Sequence, residues 1–298
     1  MADKNILHMV TPTKHASPFD VNMALDAGYD AVLPYINVTI DDVTALVQDA
    51  IFSRPPKVGV HTGMFFGGKN ASLALDMMAA AKKSLVPPFG MSFFADPAGS
   101  FTTAGAMVAC VEKLLKDKKK RDLKKLKVTI FGATGVVGFA SGVIAALEGG
   151  DVTLVGYDGI KRVSEAAKEI KSRFDVDVRA ADGSDDAKKS AILADTEATF
   201  CAGRAGVQIL SKAQIAAAKH LLIAADVNAV PPAGVEGLDV QANGVELTPG
   251  GVLGLGPLAI GDIKYKTEYG LFKKMIAAAK PVQFDFRDAF ALARELNG

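Results

Sequence analysis

The clearest chemical signal in the chain is a run of seven residues, Gly132-Ala133-Thr134-Gly135-Val136-Val137-Gly138. Glycine tolerates positive φ and lets a backbone come close to a bulky anion. A helix that starts immediately afterwards points its first amides at that anion. The spacing is G-x-x-G-x-x-G, one residue longer in the first gap than the common dinucleotide fingerprint. The context strengthens it: Val128–Phe131 reads as a buried strand, and helical spacing begins at Val136. A pyrophosphate-binding turn built by Gly132, Thr134, Gly135, Val136, Val137 and Gly138 is the functional reading. A plain tight turn is the bland one.

Further residues follow on schedule. A second strand ends at Tyr157-Asp158, with Asp158 twenty residues past Gly138. An acidic group there bonds the adenosine ribose hydroxyls and favours NAD. Lys161 and Arg162 follow within one turn and either meet a 2′-phosphate or simply face solvent. The spacing therefore predicts use of both NAD and NADP. Ala202-Gly203-Arg204 places small residues where a cofactor backbone could pass, and Arg204 meets phosphate or solvent. Asp226 and Asn228 end another strand, where Asn228 either bonds the nicotinamide ribose or caps its loop.

The first third of the chain carries polar residues at four strand ends: Lys14, His15, Phe19 and Asp20; Tyr35; Lys69 and Asn70; Asp96, Ser100 and Thr102. Ligands of open parallel sheets bind beyond the carboxyl ends of the strands. A large polar ligand opposite the nicotinamide is the expectation. Asp20, Asn70 and Thr102 could instead be helix caps, and Lys69 could be solvated. His15 has no His or Cys partner at metal-ligand spacing, so no metal is expected. No nucleophile elbow occurs.

These residues need positioning elements. Strand-like runs alternate with helix-period segments, which predicts βαβ units and an α/β fold with largely parallel sheets. Strands are expected at Ile6–Val10, Ala31–Pro34, Val58–Phe66 and Met91–Ala95, then at Val128–Phe131, Val152–Val155, Val176–Ala180, Ala198–Cys201 and Leu221–Ala225. Helices are expected at Asp20–Ala27, Asp41–Phe52, Ala71–Leu85, Thr103–Lys116, Val136–Glu148, Ile160–Phe174, Asp185–Leu193, Lys212–Ala218, Ala259–Ala278 and Asp285–Leu296. Val230–Gly256 reads as loops and short strands. Thr39 and Asp42 resemble a capping pair. The organisation expected is a first α/β domain over 1–120, a Rossmann-type domain over 121–260, and closing helices over 261–298 that return to the first domain.

Bulk properties narrow the class. Net charge is +1, so nothing global attracts nucleic acid or an anionic membrane. Lys113 to Lys127 holds nine Lys/Arg and two Asp, and reads as a solvated helix end and linker. Two cysteines, Cys110 and Cys201, argue against a disulfide framework. Met1–Asn5 lacks a signal pattern, and no apolar run approaches the roughly 20 residues needed to span a bilayer. A cytoplasmic protein is expected.

Longer segments carry a family likeness. They are Leu7-His8-Met9, Ser17 to Ala24, Phe66 to Asn70, Ala95 to Thr103, Asp226 to Gly234, Leu258 to Gly261 and Lys264-Tyr265-Lys266. In these the chain resembles the NAD(P)-dependent methylene-tetrahydromethanopterin dehydrogenases of methylotrophic bacteria, along nearly its whole length. It looks most like the branch using both cofactors, because Tyr157-Asp158 stands where the strictly NADP-using branch carries a basic residue. The resemblance implies two α/β domains with a cleft between them, and a homo-oligomer. It implies hydride transfer from a methylene-bearing tetrahydropterin to nicotinamide in formaldehyde oxidation. A carboxylate near the methylene bridge would steady the developing cation; Asp20 is the first candidate and Asp96 the second. Lys264 and Lys266 would hold polar pterin or tail groups, Lys264 also tuning the site electrostatically, unless both are surface charge. Lys14, His15, Phe19, Tyr35, Ser100 and Thr102 would face the pterin, with Phe19 and Tyr35 alternatively in the core. A methylene-tetrahydrofolate dehydrogenase is the rival; it is disfavoured because the tyrosine–lysine pair of that family is not seen on the first long helix. A dinucleotide-sensing protein without catalysis is the non-enzymatic rival.

Overall fold

The computed structural model describes residues 3–249 and 251–298; Met1, Ala2 and Gly250, which touch the terminal and loop expectations above, lie outside the described residues. In chain order the elements are β1 (Ile6–Val10), α1 (Pro18–Ala27), β2 (Ala31–Tyr35), α2 (Val43–Phe52), β3 (Thr62–Phe66), α3 (Ala71–Lys83), β4 (Ser92–Ala95) and α4 (Ser100–Leu114). There follow β5 (Lys127–Phe131), α5 (Val136–Leu147), β6 (Asp151–Gly156), α6 (Lys161–Phe174), β7 (Arg179–Asp182), α7 (Asp186–Leu193), β8 (Ala198–Cys201), α8 (Lys212–Ala217) and β9 (Ile223–Asp226). The chain closes with β10 (Asn243–Glu246), β11 (Leu253–Leu255), α9 (Pro257–Ala277), β12 (Gln283–Phe284) and α10 (Phe286–Asn297).

Two compact units result. The first comprises Met1–Thr102 and Tyr265–Leu292, the second Thr103–Lys264 and Ala293–Gly298. The chain passes between them inside α4, α9 and α10.

The first unit is a five-stranded parallel sheet in the order β12-β4-β3-β1-β2. Its inner strands β3 and β4 are buried at every position, as parallel strands covered on both faces should be. The edge strand β2 is far more exposed and holds Pro34, which an edge tolerates because one side of its backbone needs no partner. On one face Met23, Ala24 and Ala27 of α1 pack with Phe65, Phe94, Leu271, Phe272 and Met275. Phe94 lies 5.3 Å from Phe65 and 5.2 Å from Phe272, both edge to face.

The second unit is a seven-stranded sheet in the order β10-β11-β9-β8-β5-β6-β7, parallel except for β10. Without β10 this is the doubly wound dinucleotide-binding order, with its crossover reversal between β5 and β8. Small residues on α5 let it press against the sheet; a Cβ on Gly142 would already sit 3.0 Å from Leu154.

Several boundaries depart from the sequence expectation. Val58–His61 is not strand: Pro56–His61 forms 3-10 turns, with Gly59 packed so closely on the Gly90 carbonyl that a side chain has no room. The strand expected at Val176–Ala180 begins only at Arg179, and that expected at Leu221 begins at Ile223. The basic run is not a solvated linker throughout. The helix continues as a π-turn over Leu115–Lys119, and Lys118 and Lys119 donate to the Gly244 and Gly251 carbonyls. Thr39 and Asp42 do form a reciprocal cap, ahead of α2.

Arg294 ties the second unit's helices together. It donates to both oxygens of the buried Glu112 carboxylate (2.7 and 3.1 Å) and to Glu148 (2.5 Å). Arg294→Ala removes two hydrogen bonds from the buried Glu112 carboxylate and leaves its pair with Lys116. A stability loss of about 1–2 kcal/mol is expected, the partial exposure of the guanidinium moderating the full buried-pair penalty. Urea unfolding measures it; a midpoint unchanged from the parent would show that the pairs contribute nothing.

Candidate functional site

The glycine turn lies between β5 and α5, at the crossover reversal of the second sheet. Gly132 has φ +75°, and a Cβ there would stand 2.3 Å from the Ala202 carbonyl oxygen. Gly138 is buried, and a Cβ on it would meet the Gly132 oxygen at 2.4 Å. The first helical residues are Val136 and Val137, preceded by Gly135 at the N-cap, which has no side chain to cap their amides. The turn is thus a backbone cradle at a helix N-terminus, the form that holds a pyrophosphate.

A cavity of about 440 Å³ opens beside it. Gly132, Thr134, Gly135, Tyr157, Ala202, Gly203 and Arg204 of the expected set line it. Gly183, Lys189, Gln208 and Ile209 line it too, and the sequence reading missed them. Gly183 follows β7, which ends at Asp182, two residues beyond the Ala180 expected from the sequence, so its place at a strand end is not visible there. Lys189 lies within α7 and gives no motif signal; its amine bonds Asp186 (2.8 Å) and the Ile209 carbonyl (2.9 Å).

Asp158 and Arg162 flank this cavity as a pair, 3.0 Å apart. Arg162 also reaches the Tyr157 hydroxyl at 3.3 Å and Thr134 Oγ1 at 3.4 Å. These hydrogen bonds, Asp158 first, hold the guanidinium still more firmly protonated than usual. Lys161 is exposed.

Asp226 and Asn228 are occupied by their own loop. The Asp226 carboxylate is buried and accepts from the Asn228 and Val235 amides; burial raises its pKa, against those hydrogen bonds. Asn228 accepts from Gly206 and Val230 and donates to the Pro232 carbonyl. Of the two roles open to Asn228, the geometry displays loop capping.

In the first unit a smaller cavity, about 130 Å³, gathers Asp20, His15, Ser17, Thr11, Thr13 and Lys69. Asp20 is buried in the first turn of α1, but it is not the cap. Ser17 caps the helix by accepting from the Asp20 amide. Asp20 is thus set by the first turn of α1 among the residues that line the cavity. Thr11 and Thr13 hydroxyls bond each other at 2.8 Å on its wall. Asn70 caps α3.

Asp96 and Thr102 are brought together elsewhere. The buried Asp96 accepts from the Phe101 amide (2.7 Å) and the Thr102 hydroxyl (2.5 Å), which anchors the start of α4. Ser100 is nearly buried at the same helix start. Lys14 and Phe19 are exposed, and neither lines the small cavity. Tyr35 is half-buried; its hydroxyl bonds His8 Nδ1 at 3.1 Å, and burial lowers the His8 pKa, aided by Arg54. Lys264 and Lys266 lie on α9, half-buried and exposed, and line neither cavity. Cys110 and Cys201 are buried, unpaired thiols whose pKa values burial pushes up, Cys110 to about 12. Among the described residues no three His, Cys, Asp or Glu side chains are grouped to hold a metal.

A model of the family described as "Methylene-tetrahydromethanopterin dehydrogenase, N-terminal" matches residues 18–98. The "NAD(P)-dependent methylenetetrahydromethanopterin dehydrogenase" of Methylorubrum extorquens is 52% identical over 295 residues, covering 99% of each chain. This chain belongs to that family. A second relative from Methylorubrum extorquens, "Bifunctional protein MdtA", is 33% identical across 98% of this chain and 99% of its own. Among solved structures, quinate dehydrogenase from Corynebacterium glutamicum in complex with NAD matches with a TM-score of 0.56 at 14% identity, covering 98% of this chain and 99% of that one. At that identity the likeness speaks for the fold alone. Family membership accords with the α/β class and with a dinucleotide turn in the second unit.

Proposed function

We propose that the chain transfers hydride from methylene-tetrahydromethanopterin to NAD+ or NADP+, yielding methenyl-tetrahydromethanopterin and NAD(P)H, as a step of one-carbon metabolism in formaldehyde oxidation. The observation that carries this reading is the 52% identity, along 99% of both chains, to an enzyme named for that pterin and for both cofactors. The glycine cradle supports the cofactor half, since Gly132 and Gly138 leave no room for a side chain against the turn's own backbone and so keep it tight at the start of α5, where a pyrophosphate is held.

The chemistry asks little proton work of the protein. The methylene carbon is flanked by two nitrogens, whose lone pairs stabilise the cation left when hydride departs. The nicotinamide, when bound, supplies the hydride acceptor. The protein's tasks are to hold the two reactants in contact and to place negative charge near the bridge. Asp20 is the carboxylate assigned to the second task, with His15 and Lys69 beside it for the polar pterin edge. Asp96 is ranked below it, because both of its oxygens already serve α4. Lys14, Phe19, Tyr35, Ser100, Lys264 and Lys266 remain assigned to pterin contacts, and Thr102 acts through Asp96. Gly132 to Gly138 carry the pyrophosphate, Tyr157, Asp158, Lys161 and Arg162 the adenosine. Ala202, Gly203 and Arg204 lie along the cofactor, with Asp226 and Asn228 shaping the loop near its nicotinamide end.

Steady-state assays with the two methylene pterins test the reading. NAD(P)H should form with the tetrahydromethanopterin derivative. Turnover with the folate derivative alone would replace the proposed substrate, and intact dinucleotide binding without turnover would favour a sensor. We further assign the protein to the cytoplasm, where NAD(P) pools are turned over, and to a homo-oligomer. No helix among the described residues is long and apolar enough to cross a membrane. Light scattering on the purified chain reads the oligomeric state; a monomer mass would remove that assignment.

A further inference from the structure

Two opposed demands meet at the end of β6. NAD presents a 2′-hydroxyl to whatever lies there, and NADP presents a 2′-phosphate. Asp158 can accept a hydrogen bond from the hydroxyl but repels the phosphate; a guanidinium attracts the phosphate and gives the hydroxyl little. Here both groups are present and bound to each other. Arg162 Nη1 stands 3.0 Å from Asp158 Oδ2, and its other terminal nitrogen reaches Thr134 Oγ1 at 3.4 Å. The guanidinium therefore stretches from the strand end to the glycine turn, across the place where the ribose of a dinucleotide on that turn must lie. The Tyr157 ring backs it, 5.9 Å from the guanidinium carbon.

We propose that the Asp158–Arg162 ion pair is the selector for the adenosine 2′-position, and that either cofactor binds by breaking it. The inference rests on the dinucleotide reading of the glycine turn. NAD takes Asp158 from Arg162; NADP takes Arg162 from Asp158. Each cofactor thus pays the same pair energy, and neither gains the full benefit of its own partner. Both side chains are partly exposed, 37% for Asp158 and 51% for Arg162, so the pair is weak enough to open. Lys161, exposed one residue earlier, is the alternative phosphate partner. Two cations line the cavity itself, Arg204 and Lys189, and the Lys189 amine is already held by Asp186 and the Ile209 carbonyl.

A selector of this kind has a signature that independent contacts lack: removing Arg162 improves the cofactor that uses Asp158. Arg162→Gln is expected to weaken NADPH binding about tenfold or more, the worth of one charge-assisted hydrogen bond. It should also tighten NADH binding about two- to fivefold, the worth of a released surface pair. Asp158→Asn should tighten NADPH and weaken NADH. In the Asp158→Asn background, the further loss of Arg162 should no longer tighten NADH.

Calorimetric titration of the full chain with NADH and NADPH, without pterin, measures the parent, both single variants, the double variant and Lys161→Gln. NADH affinity unchanged by Arg162→Gln would overturn the exchange, whatever Asp158→Asn does to NADPH. Loss of NADPH binding on Lys161→Gln but not on Arg162→Gln would overturn the choice of cation. If the parent protein binds neither dinucleotide, it is the glycine-turn reading that fails.

Discussion

Asp20→Asn is expected to lower kcat about 10²-fold while leaving the fold intact. The carboxylate is buried in the lining of the first unit's small cavity, with Lys69 and His15 among its neighbours there. Asparagine keeps the volume and removes the charge. If Asp20 faces the methylene bridge, its charge acts as the cation develops, and removing one such preorganised group costs a factor of this size. KM for the pterin should move much less, because the ground-state substrate carries no charge at the bridge. The competing account is a helix-start role. Ser17 already caps α1, so the helix-start role open to Asp20 is that of a favourable charge near the helix N-terminus, worth about 0.3–1 kcal/mol. A variant with parental kcat and a lowered Tm would return Asp20 to that role. The parallel change Asp96→Asn should behave oppositely. It disturbs the Phe101 and Thr102 hydrogen bonds and should appear first in stability.

The second large effect is expected at the cradle. In Gly138→Ala the new methyl would lie 2.4 Å from the Gly132 oxygen and 2.8 Å from the Ala133 Cα, both backbone, so the turn must move rather than a side chain. Overpacking of this kind costs about 1–3 kcal/mol, and the displaced turn no longer presents its amides to a pyrophosphate. Affinity for both dinucleotides should fall by about 10²-fold or more, without a change in their ratio. Gly261→Ala on α9 is the control. Nothing lies within 4 Å of its added methyl, so dinucleotide affinity should be unchanged. Fluorescence titration with NADH and NADPH separates the two variants. A Gly138→Ala protein that binds both cofactors normally would remove the cradle from the site.

The readable parts of this molecule are those specified locally. A β-branched run, three glycines and a helical period lie within one short stretch, so β5, the turn and α5 emerge at almost their observed limits. The same holds for β1 and β8, short runs that are apolar except for His8 and Thr199. Val58–His61 misled because two valines suggest a strand, while the deciding contact is Gly59 against Gly90, thirty-one positions away. The two-residue strand β12 has too little pattern to register. Among polar residues the limit is different in kind. Asp20, Asp96 and Asn228 look alike at strand ends, and each could bind a ligand or a backbone amide. Which it does depends on where its oxygens point, and that is settled only by the folded neighbours. The Asp158–Arg162 contact, by contrast, spans one helical turn. Its residues are visible in the sequence, and only the reach of Arg162 to Thr134 is not.

The sheet order of the first unit also sets an order of assembly during synthesis. The second unit has all seven strands once Leu255 has been made. The first unit, although it begins the chain, does not. Its strand β4 lacks a neighbour on one side until Gln283–Phe284 emerges, and Phe94 lacks Phe272 until α9 exists. A nascent chain therefore carries an uncovered parallel edge and open aromatic surface through most of its translation, the state in which chaperones engage and misassembly begins. The sheet begun first is completed last, and a chain stopped before Val282 should damage it while leaving the dinucleotide sheet complete.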